Sequence, residues 1–307
     1  MTLALGIDLG GTKIEIIALA ESGEVLLRRR RRSPRGSYAD SLNAIRALVL
    51  EAEAELGAQA TLGLGTPGAI SPASGLLKNS NSTWLNGRPL DRDLAALLER
   101  PLAIANDADC LALSEATDGA AAGASSVFAV ILGTGVGGGL AIHGRVLAGP
   151  NAIAGEWGHN PLPWPSPSEL PGPPCYCGLR GCIETWLSGP GLARDYREAT
   201  GIERQSPAIV AAAAGGDAGA EATLQRYEDR LARGLATVIN LLDPATIVLG
   251  GGVSNLERLY TSVPALWQSY VFSDTVRTRL VPPVHGDSSG VRGAAWLGRY
   301  RALAAPG

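Results

Sequence analysis

One short pattern occurs twice in this chain. Leu5-Gly-Ile-Asp-Leu-Gly-Gly-Thr-Lys13 runs into the apolar stretch Ile14 to Leu19, then a Ser22-Gly23 turn and another strand. Phe128 to Leu132 runs through Gly133-Thr-Gly-Val-Gly-Gly-Gly139 into Leu140 to Ile142, a His143-Gly144 turn and Arg145 to Leu147. Each copy reads as strand, glycine turn, strand, tight turn, strand. The repetition predicts an α/β protein of two similar lobes, each opening with an antiparallel meander and continuing into helices. In the first lobe, Tyr38 to Leu56 and Asp107 to Asp118 have helical periodicity, and Thr61 to Gly65 and Leu102 to Asn106 read as strands. In the second, Ala218 to Leu242 is a long helix and Thr246 to Leu249 a buried strand. Gly250-Gly-Gly-Val-Ser-Asn255 is a glycine turn into another helix, and a final helix over Gly290 to Ala304 could return to the first lobe.

Glycine turns between a strand and the next element expose backbone N–H groups and let a bulky anion approach closely. Any one of them is common for structural reasons alone, but three on two lobes suit a nucleoside triphosphate. The spacing Gly-x-x-x-x-Gly-Lys-Ser/Thr is absent, and no Gly-x-Gly-x-x-Gly opens a helix, so neither a P-loop nor a Rossmann site is indicated.

Other partners are disfavoured by charge and hydropathy. The 307 residues carry a net charge of −3, which leaves no basic face for a nucleic-acid backbone. The chain enters a strand pattern at once, without a charged leader or an apolar run long enough to span a bilayer, and a soluble cytoplasmic protein is expected. The run Arg28 to Arg32 ends a predicted strand, where charge blocks edge pairing. Only Lys13 and Lys78 break the chain's preference for arginine, and each lies in a Gly- or Asn-rich stretch where a compact ammonium could meet a phosphate or hydroxyl.

Three of the four cysteines are crowded together in Cys175-Tyr-Cys177-Gly-Leu-Arg-Gly-Cys182. Gly155-Glu-Trp-Gly-His159 lies upstream, across a Pro-rich stretch from Pro161 to Pro174. Three thiolates and one imidazole complete a tetrahedron for Zn²⁺, with His159, Cys175, Cys177 and Cys182 as ligands and no position left for a bound water. The ion is therefore expected to be structural. The competing readings are a disulfide or a set of inert thiols; three close cysteines leave one unpaired in the first case. Cys110, inside an apolar helical pattern, reads as a buried core thiol.

Taken together, Asp8-Leu-Gly-Gly-Thr-Lys13, the block from Gly133 to His159, the cysteine segment ending at Glu184, and Gly250-Gly-Gly252 resemble the ROK family of bacterial sugar kinases and sugar-responsive repressors, over essentially the whole chain. Asn79 to Gly87, Gly155 to Trp164 and His285 to Trp296 look most like its bacterial fructokinases, including manno(fructo)kinase; the Pro-rich insertion departs from the common pattern. The resemblance implies an actin/hexokinase-like (ribonuclease H-like) ATPase fold, two α/β lobes around a cleft. The first lobe would be residues 1–118 plus 290–307 and the second 119–289.

By the same resemblance the activity is ATP-dependent phosphorylation of a hexose, most simply D-fructose to fructose 6-phosphate with mannose as a second substrate. Asp107 resembles the catalytic base, although by position it could equally cap the following helix. Gly68, Asn81, Asn106, Asp107, Glu156, His159 and Glu184 resemble the sugar contacts. If one imidazole nitrogen of His159 binds zinc, the other can reach a sugar hydroxyl. Gly10, Gly11, Thr12, Lys13, Gly133, Thr134 and Gly135 would hold the phosphates, and Gly251 and Gly252 would approach the adenosine. Mg²⁺ is expected with ATP, and Asp8 could hold it through water or cap the turn. The family also implies a homodimer. The alternatives are a glucokinase or N-acetylhexosamine kinase of the same family, or a non-catalytic sugar-binding regulator. A repressor would need a helix-turn-helix domain ahead of Asp8, for which few residues are present.

Overall fold

A computed structural model describes residues 3–304. Two five-stranded sheets organise it. The first comprises β1 (Ala4–Leu9), β2 (Lys13–Leu19), β3 (Val25–Arg32), β4 (Thr61–Thr66) and, after the short β-ribbon β5 (Ala69–Ile70) and β6 (Leu77–Lys78), β7 (Ala103–Asn106). Its order is β3-β2-β1-β4-β7. The second comprises β8 (Ser126–Leu132), β9 (Val136–Ile142), β10 (Arg145–Val146), β11 (Thr246–Gly250) and β12 (Arg279–Val281), in the order β10-β9-β8-β11-β12. Each sheet is a meander extended by two parallel strands, so the duplicated sequence pattern folds into a duplicated topology.

The chain divides into two compact units, residues 1–123, 139–154 and 284–307 in one and 124–138 and 155–283 in the other. In the first, one face of the sheet packs Leu5, Ile7, Leu9, Ile14 and Ile16 against Ile45, Leu48 and Val49 of α1 (Tyr38–Leu56) and Leu94 of α2 (Leu90–Leu97). The opposite face packs Ala4, Ile17 and Leu19 against Leu113 of α3 (Asp107–Asp118) and Val291, Ala295 and Trp296 near the C-terminus. This alternation is the two-residue period of a strand buried on both sides. In the second unit α4 (Ile183–Leu187), α5 (Gly189–Thr200), α6 (Ser206–Ala214) and α8 (Leu259–Trp267) all pack on the 25-residue α7 (Ala218–Leu242). The last helix, α9 (Ser289–Ala304), crosses β1 and β4 and packs along α3. Among the described residues no helix is long and apolar enough to cross a membrane.

The arginine run alternates on the edge strand β3. Arg28 and Arg30 turn to Glu15, while Arg29 and Arg31 reach Glu51 and Glu55 of α1.

Candidate active site

The first glycine turn joins β1 to β2. Gly10 N–H donates to Lys13 O at 3.0 Å, Ser33 Oγ donates to Gly10 O at 2.5 Å, and Arg35 Nε to Gly11 O at 3.1 Å. Gly11 is packed so closely that a Cβ there would stand 3.1 Å from Ser82 Oγ, a buried hydroxyl that lacks a hydrogen-bond partner. Exposed Asn81 precedes it, in a loop pinned by Asn86, whose amide bonds both the N–H and the carbonyl of Ser80. Gly68 has φ +81° and lies against the backbone of Lys78 and Ser80, which excludes any side chain. Thr12 is exposed at the tip of the turn. Lys13 sits beside Glu15, and Lys78 Nζ donates to Asn151 O at 2.9 Å, so both lysines have protein partners.

At the end of β1, Asp8 lies directly opposite Glu15 of β2. Glu15 is clamped by Arg28 Nε at 2.6 Å and Arg30 Nε at 2.7 Å. Burial, with Asp107 and Glu15 as neighbours, pushes the Asp8 carboxyl up to about 7. Asp8 and Asp107 thus act as an acidic pair beside Glu15, whose own charge is offset by Arg28 and Arg30.

Asn106 ends β7 and caps α3, its Oδ1 accepting Asp109 N–H at 2.6 Å. The cap is therefore Asn106, and Asp107 is the first residue of the helix, half-buried, with Oδ1 accepting the Ala108 N–H at 2.9 Å. A carboxylate in the first turn of a helix interacts favourably with the helix dipole. Cys110, one turn on, is wholly buried as a core thiol.

In the second unit the glycine turn joins β8 to β9, and Gly133 N–H donates to Gly135 O at 3.0 Å. Exposed Thr134 and neighbouring Gly133 line a cavity of about 660 Å³ with Pro190, Gln205, Gly252 and Leu256. Gly252 opens the 3-10 turn Gly252–Asn255, whereas Gly251, at φ +84°, is pressed against the backbone of Leu132.

The four expected metal ligands converge. One ligand atom each from His159, Cys175, Cys177 and Cys182 lies within 4.8 Å of the others. His159 comes from the 3-10 turn Trp157–His159, and Cys182 is the residue before α4. Cys175 and Cys177 are carried by a tight loop in which Gly178 N–H donates to Cys175 O and Cys175 N–H to Leu179 O, with Gly178 and Gly181 at positive φ. All are free thiols. Burial pushes the Cys182 thiol up to about 12 and raises Cys175, while the backbone N–H of Leu179 lowers Cys177. Crowded thiols with an imidazole form a donor set that a borderline-soft cation would satisfy.

The two nitrogens of His159 are already divided. Nδ1 is 3.5 Å from Cys175 Sγ, within the cluster, and Nε2 is 2.9 Å from the hydroxyl of Tyr176. The Tyr176 ring meets the imidazole edge-on at 5.1 Å yet is 81% exposed. Sequence reasoning passed over this residue, although its place between two ligand cysteines marks it. Although the ring is exposed, partial desolvation and then the charges of Glu184, Cys175 and Glu156 push the phenol up to about 12. Glu184 Oε2 also accepts the Val136 N–H at 2.9 Å, immediately after the second glycine turn.

The Pro-rich insertion is anchored to α7. Glu169 accepts from Arg230 Nε and Arg233 Nη2, both at 2.8 Å, and Trp164 stacks on Tyr270 at 5.4 Å. Burial alone would raise the Glu169 carboxyl, but the two guanidinium groups pull it down to about 2.

The ROK family sequence profile matches residues 4–301. The chain belongs to the ROK family. The N-acetyl-D-glucosamine kinase of Yersinia pseudotuberculosis is 38% identical over 296 residues, covering 95% of this chain and 97% of the relative. That of Photobacterium profundum is 40% identical over the same length, covering 95% and 98%. Among solved structures, the ROK hexokinase of Thermus thermophilus superposes with a TM-score of 0.88 at 30% identity, covering 99% of this chain and all of that one. A ROK glucokinase from Streptomyces griseus, in complex with glucose and AMPPNP, gives 0.77 at 26% identity, covering 97% and 99%. This ROK protein is an ATP-dependent sugar kinase with the actin/hexokinase-like α/β fold of two lobes.

The likeness to fructokinases is overturned by these relatives, and with it fructose and mannose as the expected substrates. The blocks Asn79 to Gly87, Gly155 to Trp164 and His285 to Trp296 therefore do not mark a fructokinase. Discrimination between hexoses rests on pocket shape worth only about 1–3 kcal/mol, which such blocks do not record.

Proposed function

We propose that this kinase transfers the γ-phosphoryl group of MgATP to N-acetyl-D-glucosamine. The observation that carries this reading is the near full-length similarity, at 38–40% identity, to N-acetyl-D-glucosamine kinases. Asp107 acts as general base, taking the proton of the sugar hydroxyl as its oxygen bonds to the γ-phosphorus and the bond to ADP breaks. The accepting oxygen is the one on C6, as in most hexokinases of this family. The position of Asp107 at the start of α3 supports its role as base.

Gly68, Asn81, Asn106, Glu156, His159 and Glu184 bind the sugar, His159 through Nε2, which would exchange the Tyr176 hydroxyl for a sugar hydroxyl. The turns Gly10–Lys13 and Gly133–Gly135 bind the phosphates, and Gly252, with Gly251 supporting it from behind, borders the adenosine. Mg²⁺ would neutralise charge on the transferring group when bound, and Asp8, at the end of β1 before the first phosphate turn, could hold it through water. Zn²⁺ would be held by His159 Nδ1, Cys175, Cys177 and Cys182, fixing the loop that carries Tyr176 and the start of the helix that carries Glu184; the convergence of the four donor atoms supports this assignment. The kinase works as a homodimer, and its net charge of −3 supports the absence of a nucleic-acid partner.

The test is a coupled ADP-release assay with MgATP across N-acetylglucosamine, N-acetylmannosamine and glucose. The highest kcat/KM is expected with N-acetylglucosamine; a higher value with either other sugar would replace the substrate and leave the phosphotransfer chemistry standing.

A further inference from the structure

Glu184 does more than face a sugar. It is two residues beyond Cys182, on a helix whose first N–H, that of Ile183, donates to Asn160 O next to His159. Its Oε2 takes the N–H of Val136, the first residue beyond the Gly133–Gly135 turn. A Cβ on Gly135 would stand 2.6 Å from that oxygen, so turn and carboxylate are in close contact. The other arm of the turn is held from the same direction, since Gly189 N–H, at the start of α5, donates to Gly133 O at 2.8 Å. Both arms therefore hang from the short segment Glu184–Gly189.

We propose that Glu184 is a positioning residue for the nucleotide: by holding Val136 N–H it sets the shape of the second glycine turn, and so the affinity for the triphosphate. This rests on reading Gly133–Gly135 as a phosphate turn. A carboxylate beside a triphosphate is unfavourable by charge alone, so its presence calls for a compensating role, and the hydrogen bond supplies one. One oxygen serves the turn while the second remains for a sugar hydroxyl, because an ionised carboxylate accepts at both.

The two roles separate by substitution. Glutamine keeps a carbonyl oxygen that accepts the Val136 N–H but loses the charge; alanine loses both. Binding of a non-hydrolysable MgATP analogue, and separately of N-acetylglucosamine, is measured by calorimetry on the intact protein. Glu184→Ala is expected to weaken nucleotide binding about five- to tenfold, as for loss of one hydrogen bond at the turn. Glu184→Gln is expected to bind nucleotide at least as tightly as wild type while binding sugar more weakly. If Glu184→Ala does not fold, Glu184→Asp, too short to reach Val136, is expected to show the same nucleotide loss.

Gly135→Ala separates failure of the proposal from failure of the reading beneath it. Weakened nucleotide binding in Gly135→Ala with none in Glu184→Ala or Glu184→Asp would leave the phosphate turn standing and remove Glu184 from it. Unchanged nucleotide binding in all of them would remove the turn itself. Equal nucleotide loss in the glutamine and alanine variants would show that the hydrogen bond to Val136 is not the cause, and would overturn the proposal.

Discussion

The two glycine turns are copies of one motif, yet they are supported in different ways. The Gly10–Lys13 turn is braced by its own meander: Ser33 and Arg35, immediately after β3, bond the carbonyls of Gly10 and Gly11. The Gly133–Gly135 turn is braced by Glu184 and Gly189, from a segment that begins at the cysteine cluster. Beside the first turn stand the buried carboxylates Asp8 and Glu15, with Asp107 acting on Asp8; close to the second stand thiols and an imidazole. The same loop thus occurs twice in different surroundings. Under the proposed roles, chemistry would belong with the first copy and positioning with the second.

Three substitutions sharpen or break that contrast. The largest effect is expected at the first copy, where Asp107→Asn should lower kcat by about 10²–10⁴-fold while sugar and nucleotide still bind. A variant with near-normal kcat would take the chemistry away from this turn. At the second copy, Cys182→Ser removes one of the four proposed metal ligands and should raise KM for both sugar and ATP by at least the ~10–100-fold typical for loss of an outer-shell partner, leaving kcat nearly unchanged. A fall confined to kcat would invert the assignment. The smallest effect is expected from Ser33→Ala, which removes one local hydrogen bond and should raise KM for ATP only a few-fold, by about 1 kcal/mol. Its effect should be the same with and without a zinc chelator, because no part of the first brace comes from the cluster; dependence on chelator would erase the distinction.

Much of the scaffold was readable because local signals and packing agree. The helices over Tyr38–Leu56, Asp107–Asp118 and Ala218–Leu242 run where periodicity placed them, each preceded by a polar cap: Ser37, Asn106 and Asp217. The convergence of His159, Cys175, Cys177 and Cys182 was readable from thiol spacing, since the tight loop around Gly178 brings Cys175 and Cys177 back toward Cys182. The cap of α3 was less clear, because Asn106 and Asp107 have equal chemistry for it and only backbone geometry chooses between them. Tyr176 was missed because its partner nitrogen is defined only once His159 is oriented by the cluster. The second hydrogen bond of Glu184 was hidden for the same reason: it joins residues 48 positions apart. Substrate choice lay beyond the motifs altogether, since it depends on pocket shape.

Gly6 and Gly63 face Val291 and Ala294 of α9 backbone to backbone, and Gly293 and Gly298 on that helix face Cys110 and Leu62. A helix laid this close leaves no room for side chains in between, so the seam is built from what four glycines omit. It also orders events during synthesis. The strands that α9 covers are made first and the helix last, so the unit holding Asp107 stays open along one face of its sheet until residues 289–304 have left the ribosome. Residues 155–283, by contrast, form an unbroken stretch that can pack together earlier. A message cut short before residue 289 would thus encode the strands of the unit holding Asp107 without the helix that closes one face of their sheet.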